Sequence, residues 1–183
     1  LDIEFSRSVR SRVTWLVALF FGELLTANVM RHYESEIAAL IDLVIFVPLI
    51  ISSGGNSGSQ SSSLIIRALA LGHITPGDWF LVLWRELRVG IALGVLLSFV
   101  GFLRTVVLGQ AAHPLIMGSV VAVSLVAVVT MGTLIGALMP LLIKRLGLDP
   151  AVSSTPFVAS LVDVFGLAVY FTVSRIVLGF MHY

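Results

Sequence analysis

The sequence predicts an all-α membrane protein with five transmembrane helices per subunit, the second of them broken or kinked at a hinge rich in glycine and serine. Three observations carry this. Hydrophobic residues make up 58% of the 183-residue chain and charged residues only 11%, where a soluble domain has about 25% charged residues. The mean hydropathy is +1.07. The apolar residues fall into runs long enough to cross a bilayer as helices, about 20 residues each, and short polar turns separate them. The net charge is +1 and no basic cluster of nucleic-acid-binding size occurs, so no nucleic-acid partner is expected. There is no cysteine, which excludes disulfides and thiolate metal sites.

Taken in order, residues 1–12 are polar and carry Arg7, Arg10 and Arg12, as a cytoplasmic surface segment would. The chain opens at Leu1 rather than Met, as expected of a transmembrane piece cut from a longer protein. The first span is 13–30, interrupted by Glu23. No small-residue cleavage site follows it, so it reads as a retained helix and not a signal peptide. Residues 31–36 form a charged turn. The second span, 37–71, is apolar to Ile51 apart from Asp42 and contains Pro48. It then enters Ser52-Ser-Gly-Gly-Asn-Ser-Gly-Ser-Gln-Ser-Ser-Ser63, the low-complexity segment of the chain, and resumes at Leu64. Residues 72–86 read as a loop or surface helix with two tryptophans. The third span is 87–108, the fourth 115–143 and the fifth 156–181, with a loop at 144–156. The whole of 1–183 is one transmembrane domain on this reading.

Basic residues orient it. With the N-terminus in the cytoplasm, eight of the eleven Lys and Arg residues fall on the cytoplasmic side; Arg31, Arg104 and Arg175 fall on the other. That is the asymmetry of the positive-inside rule. Trp15, Trp79 and Trp84 then lie at the cytoplasmic interface, where aromatic belts form. An odd number of spans leaves the C-terminus outside.

The polar groups inside the spans are the candidate site. Asp163 sits two turns into the last span, where a carboxylate costs about 2.5–3.5 kcal/mol on insertion scales. The default reading of such a residue is a functional site, often on an ion pathway. Arg175, twelve residues on, is roughly 18 Å away along the helix and cannot pair with it within one chain. Asn56 lies nineteen residues after Ile37, which enters from outside, and so roughly 28 Å down. Asp163 lies seven residues after Pro156, which enters from the cytoplasm, and so roughly 10 Å up. The two meet in the same leaflet. Gly54, Gly55 and Gly58 permit a backbone break, and Pro48 adds a kink upstream. A break exposes carbonyl oxygens, tolerated in a membrane only where protein buries them or they line a water-filled cavity. Hard cations take such oxygens together with carboxylates and water. The plainer alternative is a loop between a short span and a surface helix. Glu23 is a second pore carboxylate or a packing residue. Asp42 is a mouth residue that attracts cations or a snorkelling one. Gly90/Gly94 and Gly132/Gly136 have the spacing of close helix packing.

Gly54-Gly-Asn-Ser-Gly-Ser-Gln-Ser61 followed by Leu64-Ile-Ile-Arg-Ala-Leu-Ala70 resembles the Gly-Gly-Asn-Thr-Gly-Asn-Gln-Ser and Arg-Ala-Leu signature of the MgtE family of magnesium channels. Leu148-Asp-Pro150, Pro156-Phe-Val-Ala-Ser160 and Leu161-Val-Asp-Val164 with Gly166 resemble that family's last loop and last helix. The likeness covers the whole chain. Two positions depart from it: Ser57 stands where Thr is usual, and Ser59 where Asn is usual.

The resemblance implies a Mg2+-selective channel in the bacterial inner membrane, surrounded by lipid. It implies a homodimer whose pore is lined by the second and fifth helices of both subunits. Asp163, with the carbonyl of Ala159 one turn earlier, would hold a largely hydrated Mg2+ between the two subunits, and Asn56 would sit beside it. Gly54, Gly55, Ser57, Pro48 and Ser160 would line the pathway. A cytoplasmic N-terminal domain and CBS domains that sense Mg2+ would precede this segment. A cation-coupled Mg2+ exchanger or carrier is the near alternative. The remote one is an intramembrane serine protease, since Gly55-Asn-Ser57-Gly58 resembles the Gly-x-Ser-Gly nucleophile of rhomboids. That chemistry needs a histidine base, and His32, His73, His113 and His182 all fall at loops or the chain end.

Overall fold

The computed structural model describes residues 5–35, 42–108 and 113–180. Among them the secondary structure is helical throughout. Helix α1 spans Phe5–His32 and α2 spans Asp42–Ala70; a single 3-10 turn, Pro76–Asp78, leads into α3, Trp79–Leu108; α4 is Pro114–Arg145 and α5 is Pro150–Phe180. Among the described residues three stretches are long and apolar enough to cross a membrane: Pro76–Leu108, Pro114–Arg145 and Pro156–Gly179. Helix α2 has the length, 29 residues or roughly 43 Å, but its Gly/Ser segment dilutes its hydropathy.

The largest departure from the sequence reading is in α2. No break occurs at the hinge: helical structure runs from Asp42 to Ala70 with Pro48 inside it. Glycine and serine are weak helix formers in water, but that preference is overridden here by packing. Gly54 and Gly58 carry no side chain to hold α4 away, and α4 answers with glycines of its own. A Cβ on Gly132 would run into the carbonyl of Gly54, and a Cβ on Gly136 into that of Gly58. Two backbones approach this closely only where both surfaces are small. Two of the serines meanwhile bond back to their own helix. Ser53 Oγ donates to the Leu49 carbonyl at 2.7 Å and Ser63 Oγ to that of Ser59 at 2.9 Å, a turn-preceding bond that serine makes readily in a helix.

The remaining differences are at helix ends. Helix α1 already runs from Phe5, where a surface segment is expected to residue 12, because no Gly or Pro before Val13 stops it. Helix α3 starts at Trp79, not 87, for the same reason. Helix α5 starts at Pro150, so Pro156 lies inside it. Its start has a local cause: Asp149 Oδ1 accepts the Ala151 N–H at 2.9 Å, and Pro150 occupies the first helical position, where a missing N–H costs nothing. Just before it, Gly147 has φ 78 and closes α4, with Leu148 N–H donating to the Ile143 carbonyl at 3.1 Å. Gly72, with φ 68, closes α2 in the same way.

Helix α4 is the hub, packed against α3, α2 and α5. Helix α3 reaches it through Gly94, where a Cβ would lie 2.8 Å from Val126 Cα, and Gly90, beside Thr130 and Thr133. One core cluster joins Ile50, Val121, Leu125, Val128, Tyr170 and Phe171; a second, at the other end, joins Ile65, Val82, Ala137 and Leu141. Helix α1 is peripheral, and its substantial contact among the described residues is with α5. Tyr33, just past its end, stacks on Phe171 with ring centroids 5.2 Å apart and shares a 2.9 Å hydrogen bond with Thr172 Oγ1.

Candidate functional site

Helix α2 has two chemically distinct faces. The buried face carries Ile50, Gly54, Ser57, Gly58, Ser61, Ser62 and Ile65; the opposite face exposes Ser52, Asn56, Gln60, Ser63 and Arg67 in successive turns. The stripe from Ser52 to Arg67 is roughly 22 Å long at 1.5 Å per residue. Asn56 Nδ2 donates to Ser52 Oγ at 3.3 Å within it. An exposed polar stripe on a helix of so apolar a chain has to meet water or protein, because hydrocarbon leaves its groups unsatisfied.

Helix α5 supplies the carboxylate at a matching level. Val162 Cγ1 lies 3.1 Å from where a Gly54 Cβ would be, and Val158 Cγ1 lies 3.0 Å from the corresponding point on Gly58. Ile51 Cδ1 stands 3.0 Å from a Cβ on Gly166. The two helices therefore run antiparallel in contact, with Asp163 level with Gly54 and Ala159 level with Gly58. Asp163 is half-buried, as are Ala159, Ser160 and Gly55. No Lys or Arg among the described residues pairs with Asp163, and Arg175 instead stands 5.9 Å from the centroid of the Tyr33 ring. The ion-pair account of Asp163 thus has no partner among the described residues.

Glu23 joins the site from α1. It is half-buried, accepts a 3.4 Å hydrogen bond from Thr26 Oγ1, and lies close enough for its charge to act on Asp163. Between these helices is a groove of about 250 Å3 lined by Leu19, Gly22, Leu25, Phe157, Ser160 and Val164 among others. Ser160 faces this groove. Pro48 is exposed on α2 near the stripe, whereas Gly54 and Ser57 are buried against the bundle interior. Asp42 is the first residue of α2, and its side chain lies outside the described residues. Among the described residues no three His, Asp or Glu side chains converge. One copy of the chain therefore presents the half-buried carboxylates of Asp163 and Glu23 and, on the exposed face of α2, the amide of Asn56, oxygen donors of the kind that hard cations take.

Ser57 Oγ is buried with no hydrogen-bond partner. A serine nucleophile needs an imidazole in contact, so the site lacks the pairing that the protease alternative requires.

Sequence reasoning missed one buried group. Glu86 on α3 is 4% exposed and accepts a 2.7 Å hydrogen bond from Ser61 Oγ. Read linearly it belongs to an interfacial loop. Its signal is phase: Val82, Glu86, Gly90 and Gly94 recur every four residues, and all four are buried.

The MgtE family profile, described as a divalent cation transporter, matches residues 47–173. The chain is 42% identical over 171 residues to the magnesium transporter MgtE of Thermus thermophilus, covering 92% of this chain and 36% of that protein. It is 30% identical over 177 residues to the magnesium transporter MgtE of Enterococcus faecalis, covering 97% of this chain and 38% of that one. The Bacillus subtilis protein of the same name is 29% identical over 172 residues. The chain thus spans little more than a third of the length of the relatives it matches.

Proposed function

The chain belongs to the MgtE family of divalent cation transporters, and from that premise we propose that it forms the membrane pathway of a Mg2+ channel. One observation carries the proposal: an exposed polar stripe on α2 runs past the level of Asp163 on the adjacent helix, a carboxylate with no basic partner among the described residues. The relatives' cargo is Mg2+ by name, and the donor set suits it. In this reading all five helices span the cell membrane. Two copies face each other across α2 and α5, and their Asp163 carboxylates hold a largely hydrated ion with help from the Ala159 carbonyls and Asn56. A sparse site of this kind binds the ion and also lets it go, as conduction demands. Glu23 adds a further negative charge nearby.

Flux into liposomes tests it. Gly55→Val and Asn56→Leu are expected to cut Mg2+ flux while leaving the protein folded. A Cβ on Gly55 meets no heavy atom within 4 Å, so added bulk enters open space and not the bundle. Normal flux in both variants at normal expression would reject the pathway. Unitary current steps in planar bilayers would mark a channel, and their absence with flux intact a carrier.

The orientation has its own check. With the N-terminus cytoplasmic, a reporter enzyme that works only outside the cytoplasm should be active when fused after Tyr183. A well-expressed but silent fusion would reverse the topology.

A further inference from the structure

The α2–α4 contact is closest at its glycines. Gly54 and Gly58 meet the backbone of Gly132 and Gly136, and apolar side chains flank that seam, Val128 against Gly54, Ile50 in one core cluster and Ile65 in the other. On that same buried face α2 carries three hydroxyls within six residues, Ser57, Ser61 and Ser62. Those of Ser57 and Ser62 are buried without a partner. Ser62 is one residue from Ser61, a turn of about 100° around the helix, and Ser57 is four residues away, roughly 6 Å along it. Glu86 accepts from Ser61 alone, at 2.7 Å, with both residues buried.

We propose that Glu86 is a positioning residue: by engaging Ser61 it sets the rotation of α2 and so aims the stripe of Ser52, Asn56 and Gln60 at the ion pathway. The proposal rests on the pathway reading above. A buried polar group at a helix interface commonly selects one register among several that apolar packing would allow. The cost of leaving a carboxyl in a membrane interior without a hydrogen bond supplies the selection. Turning α2 to bring Ser62 or Ser57 round would break the bond now made and swing the polar stripe away from the level of Asp163.

The chain contains no cysteine, so introduced thiols report without background. Gln60→Cys is exposed and Ser62→Cys buried in this structure; a membrane-impermeant maleimide should label the first severalfold faster. Added Glu86→Leu should bring the two rates together and lower Mg2+ flux severalfold. Added Glu86→Gln, which keeps a carbonyl acceptor for Ser61, should restore both. If Glu86→Leu fails to reach the membrane, Ser61→Ala removes the same bond from the other side and should also bring the rates together. A labelling pattern unchanged by Ser61→Ala or Glu86→Leu overturns the proposal, as does a Glu86→Gln pattern that matches Glu86→Leu. A changed pattern with unchanged flux upholds the clamp and removes the stripe from the pathway, which separates the two failures.

Discussion

Asp163→Asn abolishes Mg2+ flux while the protein remains folded: that is the expected result with the largest effect. The substitution keeps the side chain's shape and one carbonyl oxygen and deletes only the charge. The packing around it comes from Val162 on Gly54 and Gly166 on Ile51, which the change does not touch. No cation among the described residues depends on Asp163 as a partner. The ion loses far more. A charge-assisted hydrogen bond contributes about 1.5–3 kcal/mol; in the proposed dimer, losing one from each subunit would weaken binding by about two to four powers of ten. Two ionised carboxylates also repel each other, and a divalent ion relieves that repulsion where a monovalent ion does so only in part. On the proposed pathway, selection for divalents would follow, with hydrated size and oxygen geometry separating Mg2+ from Ca2+. Asp163→Glu keeps the charge, displaced by one methylene, and should retain partial flux with altered selectivity. Flux in the parent should fall in acid as protons compete with the ion. Flux into liposomes at matched protein density decides the matter, and equal rates for Asp163→Asn and the parent would remove this residue from the mechanism.

The second large effect is structural. Gly136→Ala should destabilise the bundle by about 1–3 kcal/mol or more, the usual cost of forcing extra atoms into a packed contact. Its Cβ falls on the Gly58 carbonyl, with the carbonyl carbon 2.7 Å away. That neighbour is backbone and cannot swing aside as a side chain would. Gly132→Ala should behave alike, since its Cβ meets the Gly54 backbone. Gly22→Ala is the control: a Cβ there meets nothing within 4 Å. Thermal unfolding in detergent reads the difference. A Gly136→Ala midpoint equal to that of Gly22→Ala would refute the close contact.

Much of this was legible from residue order alone. Runs of apolar residues place all five helices in the right sequence. The cost of a carboxylate in hydrocarbon singles out Asp163, and spacing marks Gly132 and Gly136 as a packing surface. What the sequence hid has a common cause. Whether Gly54 and Gly58 break a helix or bring one close depends on what faces them, and their partners lie on another helix far along the chain. Read alone, they suggest a hinge; met by Gly132 and Gly136, they become a contact. Glu86 was obscured in the same way, because its hydrogen bond to Ser61 joins two helices that no local pattern links. Glu23 was legible as a carboxylate within a span, but only the docking of α1 on α5 makes it a neighbour of Asp163. The start of α5 was readable and passed over: Asp149 and Pro150 form a helix-opening pair that outweighs the later Pro156.

The docking of α1 on α5 also has a consequence in time. Ribosomes make α1 first and α5 last, and domains complete their folding as the chain that forms them becomes available. Helix α1 has its substantial contact with α5 among the described residues, so until α5 is made it lacks that contact. The three central helices can assemble behind it as they emerge. Only when α5 arrives can α1 dock on it, and synthesis that stalls between the two leaves α1 without that partner.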